Sequence, residues 1–108
     1  MFVVEKQPKS IAAESYRTLR TNIQYCSFDK EYRTIVITSS EPGEGKTITS
    51  GNLALALAQS ENKVLLIDCD MRKPSIHKNF RISNESGLSE LLLHKKTMED
   101  VAFEYNEN

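Results

Sequence analysis

The sequence predicts an α/β fold with an open, doubly wound parallel sheet, of which it holds an incomplete N-terminal portion. Three observations predict it. Two short apolar runs, Thr34-Ile35-Val36-Ile37-Thr38 and Lys63-Val64-Leu65-Leu66-Ile67-Asp68, read as strands buried on both faces. Between them, Thr47 to Ser60 carries Leu53 to Ala58, strong helix formers that are apolar around most of the circumference. The loop that joins the first run to that helix, Ser40-Glu41-Pro42-Gly43-Glu44-Gly45-Lys46-Thr47, has the composition and placement of a phosphate-binding loop. Strand, loop, helix and strand make a βαβ unit of the P-loop NTPase type over residues 34–70.

The flanking elements follow in order. Residues 1–9 form an N-terminal arm, in which Phe2-Val3-Val4 is a candidate short strand. From Ser10 to Cys26 the apolar residues Ala12, Tyr16, Leu19, Ile23 and Cys26 recur at spacings of four and three, one stripe of an amphipathic helix with Ser10 as its N-cap. A polar linker, Ser27 to Arg33, leads into the first strand. Glu61-Asn62 turns the chain between helix and second strand, with Asn62 as the left-handed residue. Residues 71–108 read as a polar loop and short helices. Arg72 to Asn84 is irregular and punctuated by Pro74, Leu88 to His94 is a short helix with Lys95 and Lys96 near its negative end, and Thr97 with Asp100 caps a final turn.

Composition bounds the partners. The 108 residues, 39% hydrophobic, suffice for one core. Lys and Arg total 14 against 15 Asp and Glu, a formal charge of −1, so the basic excess typical of nucleic-acid binding is missing and no such partner is expected. No apolar run approaches the roughly 20 residues of a membrane span, and the first residues are too short and too soon charged for a signal peptide, so a cytoplasmic chain is expected. Cys26 and Cys69 fit no metal spacing and read as reduced bystanders.

The loop carries the chemistry. A phosphate needs converging donors, and main-chain N–H groups at a helix N-terminus supply them, aided by the helix dipole. Gly43, Glu44, Gly45, Lys46, Thr47 and Ile48 form the cofactor-binding set for ATP or a close relative. The two glycines let the backbone approach, Lys46 brings an ammonium to the β- and γ-phosphates, and the Thr47 hydroxyl is the protein ligand for Mg²⁺. Ser40 stands where the full G-x-x-x-x-G-K-[ST] pattern has glycine. Asp68-Cys69-Asp70-Met71-Arg72 lies at the carboxyl end of the second strand, the edge where open parallel sheets bind ligands. Its two carboxylates can serve a Mg-nucleotide, or can equally be turn and capping aspartates.

With both segments in place, the chain resembles the bacterial tyrosine kinases, P-loop enzymes that govern capsule and exopolysaccharide synthesis. Ser39 to Thr47 looks like that family's Walker A segment and Val64 to Arg72 like its Walker A′, an apolar strand followed by Asp-x-Asp-x-Arg. Glu14-Ser15-Tyr16-Arg17-Thr18-Leu19-Arg20 matches its Glu-x-x-Arg-x-x-Arg motif, which contacts the next subunit of a ring. Alone, the Glu14, Arg17 and Arg20 stripe reads as a solvated salt-bridge face; beside both Walker segments it reads as an oligomer interface. The resemblance implies Lys46 and Thr47 at the phosphates and metal, Asp68 as base toward a tyrosine hydroxyl, Asp70 in the Mg²⁺ shell, and Arg72 as electrostatic support. The implied reaction is in-line transfer of the γ-phosphoryl group to tyrosine, including autophosphorylation. A homo-oligomer, tyrosine-containing protein substrates and a membrane-spanning activator that holds the chain at the inner face of the membrane are implied too.

Two parts of that family's pattern are not found here: a Walker B strand after Leu93 and a tyrosine-rich tail, since Tyr16, Tyr25, Tyr32 and Tyr105 are scattered. The sequence therefore predicts roughly the first half of a domain of ~150 residues or more, as a fragment or truncated gene product that phosphorylates poorly by itself. The alternatives are a catalytically silent nucleotide-binding or oligomerisation module of the same machinery, and a partitioning-type ATPase. Against the latter, Glu41 and Pro42 stand where its signature Lys-Gly would be.

Overall fold

A computed structural model describes residues 2–26, 33–40 and 45–106. Six helices are formed among them: α1 (Val3–Lys6), α2 (Ile11–Cys26), α3 (Lys46–Gln59), α4 (Ile76–Phe80), α5 (Leu88–Leu92) and α6 (Met98–Val101). The core forms where α1, α2 and α3 meet, around Phe2, Val4, Ala13, Leu55 and Ala56.

The arm, where Phe2-Val3-Val4 was a candidate strand, holds the short helix α1 instead. A strand needs a neighbouring ladder, whereas α1 finds its polar partner in a side chain of α3: the buried Val4 N–H donates to Asn52 Oδ1 at 3.0 Å. Asn52 is itself fully buried, and its amide donates to the Ile48 carbonyl at 2.9 Å, so both ends of that polar group are satisfied. The ring of Phe2 packs against the α3 backbone at Gly51, where a Cβ would sit 2.0 Å from the nearest ring carbon. Only glycine admits so close an approach. α3 is deeply buried, as its composition predicts.

α2 begins as expected, with the Ser10 hydroxyl accepting from the Ala13 N–H at 3.1 Å. Its inner face is rotated from the expected stripe. Ala13 is fully buried while Ala12, Leu19 and Cys26 are exposed, and Tyr16, Arg17, Arg20 and Ile23 form the half-buried flank. A periodicity count places apolar residues on one face but does not include the long stems of arginines, which cover apolar surface as effectively. The turn after α3 is also shifted by one residue. Glu61, at φ 65°, takes the left-handed conformation, and Asn62 instead bonds the helix end, its side chain donating to the Leu57 carbonyl at 3.0 Å.

The two apolar runs expected as strands form no ladder among the described residues. Among the described residues, no backbone–backbone hydrogen bond involves Thr34 to Thr38 or Val64 to Ile67. Residues of both runs line one cleft of about 910 Å³. Val36, Leu65 and Ile67 are accordingly exposed rather than buried on both faces. The polar stretch after Pro74 is more regular than its composition suggests, because it contains α4. α6 carries the expected cap, with the Thr97 N–H and hydroxyl both donating to Asp100 Oδ2.

Candidate functional site

The mouth of the cleft between the two runs gathers Lys46, Thr47, Ser50, Asp68, Asp70 and Ser75. Gly43 and Glu44 lie outside the described residues. Gly45 is the N-cap of α3 with φ 83° and ψ 17°, and a Cβ there would meet nothing within 4 Å. Its role is the left-handed backbone turn, at a place otherwise open. The turn starts α3 without a side-chain cap. The first N–H groups, those of Lys46, Thr47 and Ile48, therefore have no acceptor among the described residues and point out of the positive end of a 14-residue helix. Such an end is built for an anion.

The Asp68 carboxylate is heavily used. Oδ1 accepts from the Asp70 N–H at 3.0 Å, while Oδ2 accepts from the N–H groups of Ser75 at 3.0 Å and Ile76 at 3.1 Å. It thus caps α4 from outside the helix and pins the 69–76 loop. Asp70 is bound through one oxygen only, Oδ1 accepting from Arg72 at 3.1 Å and Lys73 at 3.0 Å. The Lys73 N–H, opposed by partial burial and aided by the Arg72 N–H and the Lys46 and Lys73 charges, holds the Asp70 carboxyl below its ordinary range. Its Oδ2 keeps no protein donor among the described residues. Arg72 is exposed and stands outside the cleft lining, and Ile48 is 40% exposed at the start of α3.

Ser75 is the residue that sequence reasoning passed over. As N-cap of α4 it would ordinarily bond its own helix, but Asp68 has taken that task, and the Ser75 hydroxyl lies 2.7 Å from the Thr47 hydroxyl instead. The available signal was a serine directly before Ile76-His77-Lys78, an N-cap placement hidden by the polarity of the surrounding residues.

The donor chemistry fits a hard cation. Thr47 and Asp70 offer oxygen only, and among the described residues no cluster of three or more His, Cys, Asp or Glu could cage a metal. Oxygen donors of this kind suit a cation such as Mg²⁺, which takes one or two protein oxygens with the rest of its shell from phosphate and water.

The charged stripe of α2 is engaged within the chain. Arg17 pairs with Glu14 at 2.9 Å and also donates to the Pro8 carbonyl, while Arg20 donates to the Ala56 carbonyl of α3 at 2.8 Å. Both cysteines are free and exposed.

This arrangement, a helix N-terminus headed by glycine, lysine and threonine and faced by two aspartates, defines a P-loop nucleotide-binding domain. The comparisons agree: the profile of a family described as an AAA domain matches residues 32–108, and the chain belongs to that family. The relatives it resembles are bacterial tyrosine-protein kinases. It is 48% identical over 101 residues to the tyrosine-protein kinase YwqD of Bacillus subtilis, covering 94% of this chain and 43% of that protein. It is 40% identical to the tyrosine-protein kinase etk of Escherichia coli over 93% of this chain and 14% of that one. The crystal structure of the chimerical protein CapA2B2 superposes with a TM-score of 0.87 at 45% identity, covering 92% of this chain and 43% of that one. The chain thus spans less than half the length of these relatives.

Proposed function

We propose that this chain is the nucleotide-binding part of a Mg²⁺-dependent protein-tyrosine kinase that binds ATP and serves capsule or exopolysaccharide synthesis. The observation that carries the reading is the open N-terminus of α3, with Lys46 and Thr47 beside Asp68 and Asp70 in one cleft mouth. Backbone N–H groups of the loop and of Lys46 to Ile48 bind the phosphates, and the Lys46 ammonium neutralises charge that builds on the transferred group. Thr47 Oγ1 and Asp70 would hold Mg²⁺, which when bound draws charge off the phosphoryl oxygens. Asp68 orients the 69–76 loop; as placed, three backbone donors occupy the carboxylate that a tyrosine proton would need.

That last point favours a second reading for the chain by itself, a module that binds nucleotide without transferring phosphate. In the kinase reading, an apolar strand lies in the cleft between 34–38 and 63–68 and completes a doubly wound parallel sheet there. A tyrosine-containing substrate, further copies of the chain and a membrane-spanning activator are its partners at the inner face of the membrane. Radiolabelled ATP with wild type and Lys46→Met separates the readings. Label on tyrosine, lost in the variant, supports the kinase; nucleotide binding without label supports the module; no nucleotide binding sinks both.

A further inference from the structure

Among the described residues, a 2.7 Å hydrogen bond between the hydroxyls of Ser75 and Thr47 ties the 69–76 loop to the start of α3. We infer that Ser75 is a positioning residue for the cation, accepting the Thr47 proton so that the Thr47 oxygen presents its lone pairs to Mg²⁺. The inference rests on the nucleotide reading above and adds to it a residue that neither P-loop motif contains.

A neutral hydroxyl that ligates a cation keeps its proton, and the cation makes that proton a stronger donor, so the ligand is only as well oriented as the acceptor its proton finds. The two Asp68 oxygens are committed to three N–H groups, and Asp70 Oδ1 to two. Ser75 Oγ lies 2.7 Å from Thr47 Oγ1 in a contact in which either hydroxyl can donate, and it is the acceptor the inference assigns to a cation-bound Thr47. It is available because Asp68 Oδ2 caps α4 in its stead, receiving the Ser75 and Ile76 N–H groups. Ser75 and Thr47 are both half-buried, which limits competition from water for that hydrogen bond. Asp68 therefore acts on the cation site at one remove: it fixes the Ser75 backbone, Ser75 fixes Thr47, and Thr47 offers its oxygen to the metal.

The test isolates the hydroxyl with two variants of equal shape, Ser75→Thr and Ser75→Val. Affinity of the full 108-residue chain for a fluorescent ADP analogue is measured in EDTA and across a Mg²⁺ titration, with thermal melts to establish folding. Wild type and Ser75→Thr should share one Mg²⁺ midpoint, and Ser75→Val should need about tenfold more Mg²⁺, the low end for loss of a partner to a metal ligand. Equal midpoints for the Thr and Val variants, both folded, overturn the inference and leave the nucleotide reading standing. Wild type that binds the analogue without any response to Mg²⁺ overturns the cation site itself. Should Ser75→Val melt before the titration temperature, Ser75→Ala gives the same comparison against wild type.

Discussion

Gly51→Ala is an ordinary helix-stabilising change that this fold should reject. In the interior of α3, alanine is favoured over glycine by about 1 kcal/mol. Here the new Cβ would lie 2.0 and 2.3 Å from two ring carbons of Phe2, inside any permitted contact. The ring cannot simply retreat: Phe2 is 3% exposed, and Phe80 stacks on it at a centroid distance of 4.6 Å. Expelling the ring forfeits roughly 2 to 3 kcal/mol of burial, so the variant should be destabilised by about 1 to 2 kcal/mol net. At 4–8 °C per kcal/mol for a domain of about this size, the melting temperature should fall by roughly 5 to 15 °C.

The double variant gives the decisive sign. With Phe2→Ala in the background the clash is gone, and Gly51→Ala should then stabilise by about 1 kcal/mol relative to Phe2→Ala alone. The assay is urea denaturation followed by circular dichroism on the four chains of the cycle. A Gly51→Ala effect of the same sign in both backgrounds would refute the packing of the N-terminal arm on the phosphate-loop helix.

Tyr105 donates its hydroxyl to both Glu5 oxygens, at 2.6 and 2.8 Å, and this bond, with burial and the Glu5 charge, raises its ionisation above the ordinary 10.0. Because the neutral form is favoured on folding, the stabilisation is fully present below pH 10 and is lost as pH rises through the raised value; melts from pH 8 to 11 should show that extra alkaline loss in wild type and not in Tyr105→Phe. In hydrogen exchange, the amides of Ile35 to Ile37 and Leu65 to Ile67 should be unprotected while those of Leu53 to Ala56 are slow, and a longer chain matching the relatives' length should protect the former. Slow exchange at Ile35 to Ile37 in the 108-residue chain would mean that the strands already pair.

How much of this was legible in the sequence divides by the range of the interaction. α3 and the start of α2 were readable because helix propensity and the Ser10 cap act within a few residues. The loop glycine, lysine and threonine were readable because one short segment holds them all. The arm was misread because α1 depends on Asn52, 48 residues away, for the partner of its Val4 N–H. The strand runs were expected from their short apolar, β-branched composition, but a strand exists only with a neighbour, and no local pattern states where the neighbour lies. Ser75 was missed for a related reason: its hydroxyl is directed by a bond that Asp68 makes seven residues earlier in the chain.

The spacing of Asp68 and Asp70 left two roles open, metal chemistry or turn and cap, and the geometry assigns the structural role first. Asp68 spends both oxygens on N–H groups of its own loop and of α4. Asp70 spends one oxygen on the Arg72 and Lys73 N–H groups and leaves the other without a protein donor among the described residues. One aspartate builds the loop that brings Ser75 to Thr47, and the other is the carboxylate to which the proposed function gives the cation. Replacing Asp68 would therefore disturb the cation site through loop and hydroxyl together, and loss of activity in such a variant would be no proof of a catalytic base. Only Ser75, which can lose its hydroxyl while its backbone N–H stays on Asp68, separates the orientation of Thr47 from the folding of the loop.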